Sequence, residues 1–267
     1  MTCLRIAAQS EVAHILKHST LACLVFLISA AAVACRRDVG TFLVPVRAQS
    51  ATGPLRVDHD NPRYFTDGSG KAIYLAGAHT WSNVQDRGSL NPPKVAFDYT
   101  AYVRWMVSHN FNFMRLWTAE LPIGTDDLYE NIVAPPWKWL RNGLSNANDG
   151  APKFDLSRID PNYYNRIRSR AIEAGNNGIY VSIMLFNGFQ WQFETNPKDG
   201  NPFESSNNIN GISCPSTCPT DNSQISDQAW NYEQAYIRKV VDMVNDLDNV
   251  LFEVSNEAGA PYSDLAV

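Results

Sequence analysis

The stretch NVLFEVSNEA, Asn249–Ala258, is a short apolar run that stops abruptly on Asn256-Glu257. Val250, Leu251, Phe252 and Val254 suit a strand. The segment before it, Gln228–Leu247, carries apolar residues at helical spacing. A helix that feeds a strand, and a strand that ends on a carboxylate, fit a chain of parallel strands joined by helical crossovers. In barrels of that kind the chemistry gathers where the strands end.

The same pattern repeats upstream. Ile179–Phe186, IYVSIMLF, is nearly continuous in apolar residues, as a strand covered on both faces is. Asp160-Pro161 opens the preceding helix, with Asp as N-cap and Pro at the first helical position. That helix is expected to reach Glu173, with Gly175 and Gly178 ending it. Asn112–Trp117, NFMRLW, reads as a buried strand with one charge, Arg115, after a helix over Phe97–His109 that Asn110 stops. Lys71–Ala76 reads as the first strand of the series, finishing near His79-Thr80-Trp81, and Asp67-Gly68-Ser69-Gly70 turns it out of a hairpin.

The order β-α-β-α-β-α-β argues for parallel units. Long excursions, Thr118–Ser157 and Asn187–Asp227, follow the second and third strands and read as loops, whereas the helix-to-strand returns are short. That asymmetry builds a functional face from the βα loops. The expected fold is α/β: the first four units of a TIM (β/α)8 barrel, truncated after the fourth strand and entered through an N-terminal β-hairpin. A half-barrel of this kind should leave open strand edges and apolar surface.

A chain of 267 residues, 45% hydrophobic, has core material for one large domain. The net charge of −5 argues against a nucleic-acid partner, which needs a basic face. Leu21–Ala34, LACLVFLISAAAVA, is an apolar run preceded by Lys17 and His18, and it is shorter than the ~20 residues of a membrane span. A signal peptide is expected. Ala32-Val33-Ala34 before Cys35 offers a lipoprotein route with lipid attachment at Cys35, Val46-Arg47-Ala48 offers ordinary cleavage, and Arg36-Arg37 offers an uncleaved anchor. The expected boundaries are 1–35 for this leader or anchor, 36–54 for a linker and 55–267 for the half-barrel. The expected location is secreted, periplasmic or cell-surface, with membrane contact only through the N-terminal segment. Cys214 and Cys218 are the only cysteines after the leader, and a loop disulfide between them suits an oxidising compartment. No metal site is expected, because no second Cys or His pair stands near them at zinc spacing. No phosphate-cradling Gly loop or other cofactor motif was found, so no cofactor is expected.

Three places resemble the (β/α)8 glycoside hydrolases of the family-five-like, cellulase- and mannanase-containing group: GAHTW closing the first strand, NFNFMRLW closing the second with an Arg, and NVLFEVSNEA closing the fourth with Asn-Glu. The resemblance spans most of Leu55–Ala258 and covers the N-terminal half of such an enzyme. It implies an exported O-glycosidase acting on a poly- or oligosaccharide by a retaining mechanism. Glu257 would be the acid/base, Asn256 would bind the sugar 2-hydroxyl, and Arg115 would hold the nucleophile's geometry. His79 and Trp81 would line the sugar floor. Trp117, Trp137 and Trp191 are further stacking candidates, since aromatic faces pack on apolar sugar faces. Each residue also has a plainer reading. Glu257 could cap a following helix. Arg115 could be structural, with Glu253, on the same strand parity as Glu257, as its carboxylate partner. His79 could be a core hydrogen-bonder, and Glu120 a solvated loop residue.

A retaining site needs two carboxyls about 5–5.5 Å apart. In the resembling enzymes the nucleophile ends the seventh strand, so it is expected outside this chain, which would then be inactive alone. Glu253 lies about 13 Å from Glu257 at ~3.3 Å per residue, too far to serve. Glu120 and Glu194 are the remaining candidates. The alternative function is a non-catalytic carbohydrate-binding surface protein that keeps the aromatic platform.

Overall fold

The structure, a computed structural model, describes residues 51–89, 95–124, 132–193, 200–214 and 227–257. The segment read as a leader or anchor, most of the expected linker and Cys218 lie outside these residues. The end of that linker is in place against the body: the Ala51 N–H donates to Gly175 O, and the Tyr180 hydroxyl donates to Gly53 O.

The chain opens with an antiparallel meander, β1 (Arg56–Val57), β2 (Phe65–Thr66) and β3 (Ala72–Ile73). The predicted turn separates β2 from β3, with Gly68 and Gly70 at positive φ. β4 (Gly88–Ser89), α1 (Tyr99–Ser108) and β5 (Phe113–Leu116) follow. β6 (Ile123–Gly124) and β7 (Ile132–Val133) join β4 in a small antiparallel sheet. β8 (Trp139–Asn146) and β9 (Pro152–Ile159) form a hairpin. The remaining elements are α2 (Pro161–Asn176), β10 (Tyr180–Asn187), α3 (Gly188–Phe193), α4 (Asp227–Val244) and β11 (Val250–Asn256).

The architecture is α/β around a parallel sheet ordered β11-β10-β5. The helix start at Asp160-Pro161 follows its sequence signal, while the first helix begins at Tyr99, two residues later than expected, with Asp98 as its cap. Asp98 accepts from the Ala101 N–H at 2.8 Å, and Asp160 accepts from the Asn162 N–H at 2.9 Å with Pro161 behind it. Asn110 ends the α1 region in the left-handed conformation, φ 57°. Met114, Leu116, Val181, Ile183 and Leu185 form the sheet's outer face and are buried with Met106, Tyr163, Tyr164, Ile167, Tyr236 and Val240 of the helices. All of β10 is buried, as its uninterrupted apolar run predicts. Phe252 and Val254 on the edge strand β11 share that outer face, and they are exposed at 45% and 66%.

Two expectations need correction. The first strand is not a full member of the parallel sheet. β3 pairs only with β2, and the chain then touches β5 through a single bridge, Gly77 to Phe113. Asn112 explains this. Its side chain takes the Ala76 N–H at 2.8 Å and donates to Tyr74 O at 3.0 Å, occupying groups that a ladder would use. The excursion 118–157 is likewise no plain loop, since it contains β8 and β9. Their register shifts twice, which erases the period-two alternation that sequence reading relies on. Arg141 pins the hairpin with two 2.6 Å bonds to the Asp149 carboxylate and lies over the Phe154 ring.

The Gly77 bridge is close. A Cβ there would sit 1.6 Å from Phe113 O, a backbone atom with nowhere to go. Gly77→Ala is expected to cost at least ~2 kcal/mol of stability, read as a lowered Tm by circular dichroism. An unchanged Tm would show that the bridge is not part of the fold.

Candidate functional site

Arg115, the single charge of β5, points to the inner face of the sheet. It reaches across β10 to Glu253 of β11, with Nε donating to Oε2 at 2.8 Å and Nη2 donating to Oε1. The expected pair is therefore formed, and it spans the sheet. Nη2 also donates to Asn256 Oδ1 at 3.2 Å and lies 3.6 Å from Met184 Sδ of the intervening strand. The guanidinium sits 4.9 Å from the Trp117 ring centroid, a cation–π contact.

His79 stacks on Trp117, with centroids 5.2 Å apart and an 11° tilt. Its pKa is lowered, first by partial burial and then by the nearby Arg115 charge, while Glu253 opposes the shift. Trp81 leans against Trp117 at 6.5 Å and carries the Arg87 guanidinium 5.0 Å from its own ring. Trp81 is 48% exposed and Trp117 8% exposed, so Trp81 offers ring surface to solvent while Trp117 backs His79 and Arg115. Trp137 packs edge-on to Phe154 of the hairpin. Trp191 lies in α3, and its side chain and Glu194 fall outside the described residues. Cys214 is disulfide-bonded.

The strand ends hold the rest. Asn256 closes β11, and its Nδ2 donates to Asn187 Oδ1, at the end of β10, across 3.4 Å. Glu257 follows with φ 45°, exposed. A non-glycine residue there costs about 1 kcal/mol or more, and strain of this kind concentrates at functional positions. The structure thus gathers Arg115, Glu253, Asn256, His79, Trp117 and Trp81 at one end of the sheet, with Glu257 beside Asn256 in the chain.

Sequence reading missed several residues that support this end. Asn83 Oδ1 accepts from the Trp117 N–H at 2.7 Å, and its Nδ2 donates to Arg115 O. Gln85 Oε1 accepts from the Ala119 N–H at 2.6 Å, and its Nε2 donates to Ala134 O. Both side chains are buried, and Asn83 stands in for a strand partner at the end of β5. The alternation Asn83-Val84-Gln85 next to Trp81 was the available signal.

Glu120 is not solvated, contrary to expectation. It is 5% exposed, and Lys138 Nζ, itself buried, donates to its Oε2 at 2.6 Å. Its Oε1 accepts the Asn187 N–H at 3.0 Å. The Lys138 ammonium lies 4.4 Å from the Tyr236 ring centroid. Glu233 of α4, fully buried, belongs to the same cluster. Burial, then the Glu120 charge, pushes its carboxyl up to about 8, with Lys138 opposing. Lys138 is lowered by burial and held up by Glu120.

No family model matches the sequence, and no curated protein matches it. Solved structures do. A protein of Bacteroides vulgatus ATCC 8482 described as a glycoside hydrolase aligns with TM-score 0.48 and 15% identity, over 77% of this chain and 32% of that one. The endo-1,4-beta-mannanase of Rhizomucor miehei aligns with TM-score 0.45 and 15% identity, over 78% and 48%. A glycoside hydrolase family 5 protein of Bacteroides vulgatus ATCC 8482 aligns with TM-score 0.36 and 13% identity, over 77% and 41%. The structural neighbours are glycoside hydrolases. The chain spans about a third to a half of the length of these structures.

Glu233 gives a signed pH prediction. Unfolded, its carboxyl ionises in the usual range near 4.5; folded, it holds its proton to about 8. The stabilisation is therefore complete below the usual range and is lost as pH rises through that window, at up to about 1.4 kcal/mol per pH unit. Denaturant unfolding between about pH 5 and about pH 8 should show this decline in the native chain and a flatter profile in Glu233→Gln. Parallel profiles would remove Glu233 as its source.

Proposed function

We propose that this chain supplies the sugar-binding and proton-donating part of an exported, retaining O-glycosidase acting on a poly- or oligosaccharide. The observation that carries the reading is the Arg115–Glu253–Asn256 network at the C-terminal strand ends, flanked by the exposed Trp81 and leading directly into Glu257 with its left-handed backbone. In this reading Trp81 is the stacking platform, with His79 beside it. Asn256 binds a ring hydroxyl. Glu257 protonates the glycosidic oxygen and then activates water. The barrel half proposed from the sequence agrees with the uncovered outer face of β11, and export agrees with the Cys214 disulfide. Among the described residues, no helix is long and apolar enough to cross a membrane, and the N-terminal segment proposed as leader or anchor lies outside them.

One observation favours the second reading, a carbohydrate-binding protein without hydrolysis. Glu253 is committed to Arg115 and Glu120 to Lys138. Glu253 lies about 13 Å back along its strand from Glu257 at ~3.3 Å per residue, and Glu120 is buried against Lys138, so neither supplies the second carboxyl of a retaining pair, which stands about 5–5.5 Å from the first.

Glycan screening of the purified chain separates these readings. Trp81→Ala is expected to weaken glycan binding by about tenfold, equivalent to ~1.4 kcal/mol. If the chain hydrolyses a glycan, Glu257→Gln should lower the rate by about 10²–10⁴; an unchanged rate would remove Glu257 from the acid/base role. Binding without hydrolysis, by this chain and by the longest protein that contains it, selects the second reading. Absence of binding to any glycan sinks both.

A further inference from the structure

We infer that Glu120, Gln190 and Asn187 are positioning residues that fix which end of the Asn256 amide faces a bound sugar. This rests on the carbohydrate reading above and adds to it the polarity of the contact and the residues that set it.

Two groups that can only donate set the polarity. One is the Arg115 guanidinium, which has no acceptor atom. Its Nη2 lies 3.2 Å from the Asn256 side chain, so the atom it meets must be oxygen, Oδ1. The Asn256 nitrogen is thereby turned toward Asn187. The other is the backbone N–H of Glu120, which donates to Gln190 at 2.6 Å and forces Oε1 into that place. Asn187 Nδ2 donates to the same Gln190 oxygen at 3.5 Å, which leaves Asn187 Oδ1 for Asn256 Nδ2 at 3.4 Å. The two ends are fixed independently, and they agree in the middle. Reversing any one amide would set oxygen against oxygen or nitrogen against nitrogen.

Burial holds this relay. Asn187, Gln190 and Glu120 are 3%, 4% and 5% exposed. Glu120 grips the relay twice, through its backbone N–H on Gln190 and through its carboxylate on the Asn187 N–H. Lys138 anchors that carboxylate from behind. An amide nitrogen has two hydrogens. One of Asn256's goes to Asn187, and the other has no partner among the described residues. Asn256 therefore presents a donor, and the ligand atom it reads is an acceptor oxygen, as on a sugar hydroxyl.

The test uses the full chain, ¹⁵N-labelled, and follows the Asn256 side-chain NH₂ resonances, assigned by their loss in Asn256→Asp. In the native chain the hydrogen that Asn256 donates to Asn187 should exchange more slowly than its twin and resonate downfield of it. Gln190→Met should move that resonance and speed its exchange. Asn187→Asp guards against a folding failure, because it keeps the oxygen facing Asn256 and changes only the atom facing Gln190. Near neutral pH its carboxylate repels the Gln190 oxygen and the pair is perturbed. In acid, the protonated carboxyl donates to Gln190 and the native pattern returns, whereas Asn187→Ala stays perturbed at every pH. The charges facing this position are Glu120 with Lys138 and Glu233 on one side, and Arg115 with Glu253 across Asn256. Resonances that ignore both Gln190→Met and Asn187→Asp overturn the relay. Titrations with mannohexaose and cellohexaose as probes test the sugar contact. Asn187→Asp should bind about tenfold more weakly at neutral pH, with parity restored in acid. Equal binding at neutral pH overturns the sugar-facing role. If the native chain binds neither probe, the donor role of Asn256 toward these sugars fails with the carbohydrate reading, while the resonances still decide the relay.

Discussion

A guanidinium on the inner face of a parallel sheet is the constraint around which this end of the molecule is built. Arg115 cannot shed its charge, so it must be met by acceptors without full hydration. It takes the Glu253 carboxylate from two strands away and the Asn256 oxygen beyond it. The pair is a quarter exposed on each side, so its value lies less in stability than in geometry. It ties β5 to β11 across β10 and fixes the direction of the Asn256 amide. It also presents a flat cation to Trp117, on which His79 lies.

Around that pair, asparagine and glutamine side chains do work that backbone ladders do elsewhere. Asn112 bonds both a donor and an acceptor of the preceding segment, Asn83 does the same at the end of β5, and Gln85 links the Ala119 N–H to Ala134 O. Asn249 donates to Ala171 O and Ile179 O where α2 passes into β10, and its amide lies so close to Gly175 that a Cβ there would sit 2.9 Å away. In the segment 200–214, Asn208 Nδ2 donates to Pro202 O, Glu204 O and Ile212 O, while its Oδ1 accepts from the Ile212 N–H. A primary amide suits this task because it mimics a peptide unit, with one end donating and the other accepting. Satisfying backbone groups through side chains lets irregular chain remain buried.

The buried Glu120–Lys138–Glu233 cluster sits behind the strand ends. With Glu233 holding its proton at neutral pH, one carboxylate and one ammonium are left and the charges balance. The cluster does not face solvent as a reacting group would. Its contacts with the candidate site are the hydrogen bonds of Glu120 to the Asn187 N–H and to Gln190, so its influence passes through position and not through proton transfer.

Much of the element order was legible from residues 55 to 257 alone. The helix cap at Asp160, the stop at Asn110 and the apolar run of β10 are local signals, written within a few neighbouring residues. The placement of Arg115 and Asn256-Glu257 at strand ends followed from them, as did the pairing of Arg115 with Glu253 by strand parity. What only the tertiary structure decided was the fate of polar residues whose partners are distant. Glu120 reads as surface until Lys138 and the Asn187 N–H are known, the latter 67 residues away. Asn83 reads as loop until β5 arrives, 32 residues on. The β8–β9 hairpin reads as loop because its register shifts break alternation. A polar side chain carries the same desolvation cost in any sequence, and whether it is buried depends on the group that meets it, which is fixed only when the chain has folded.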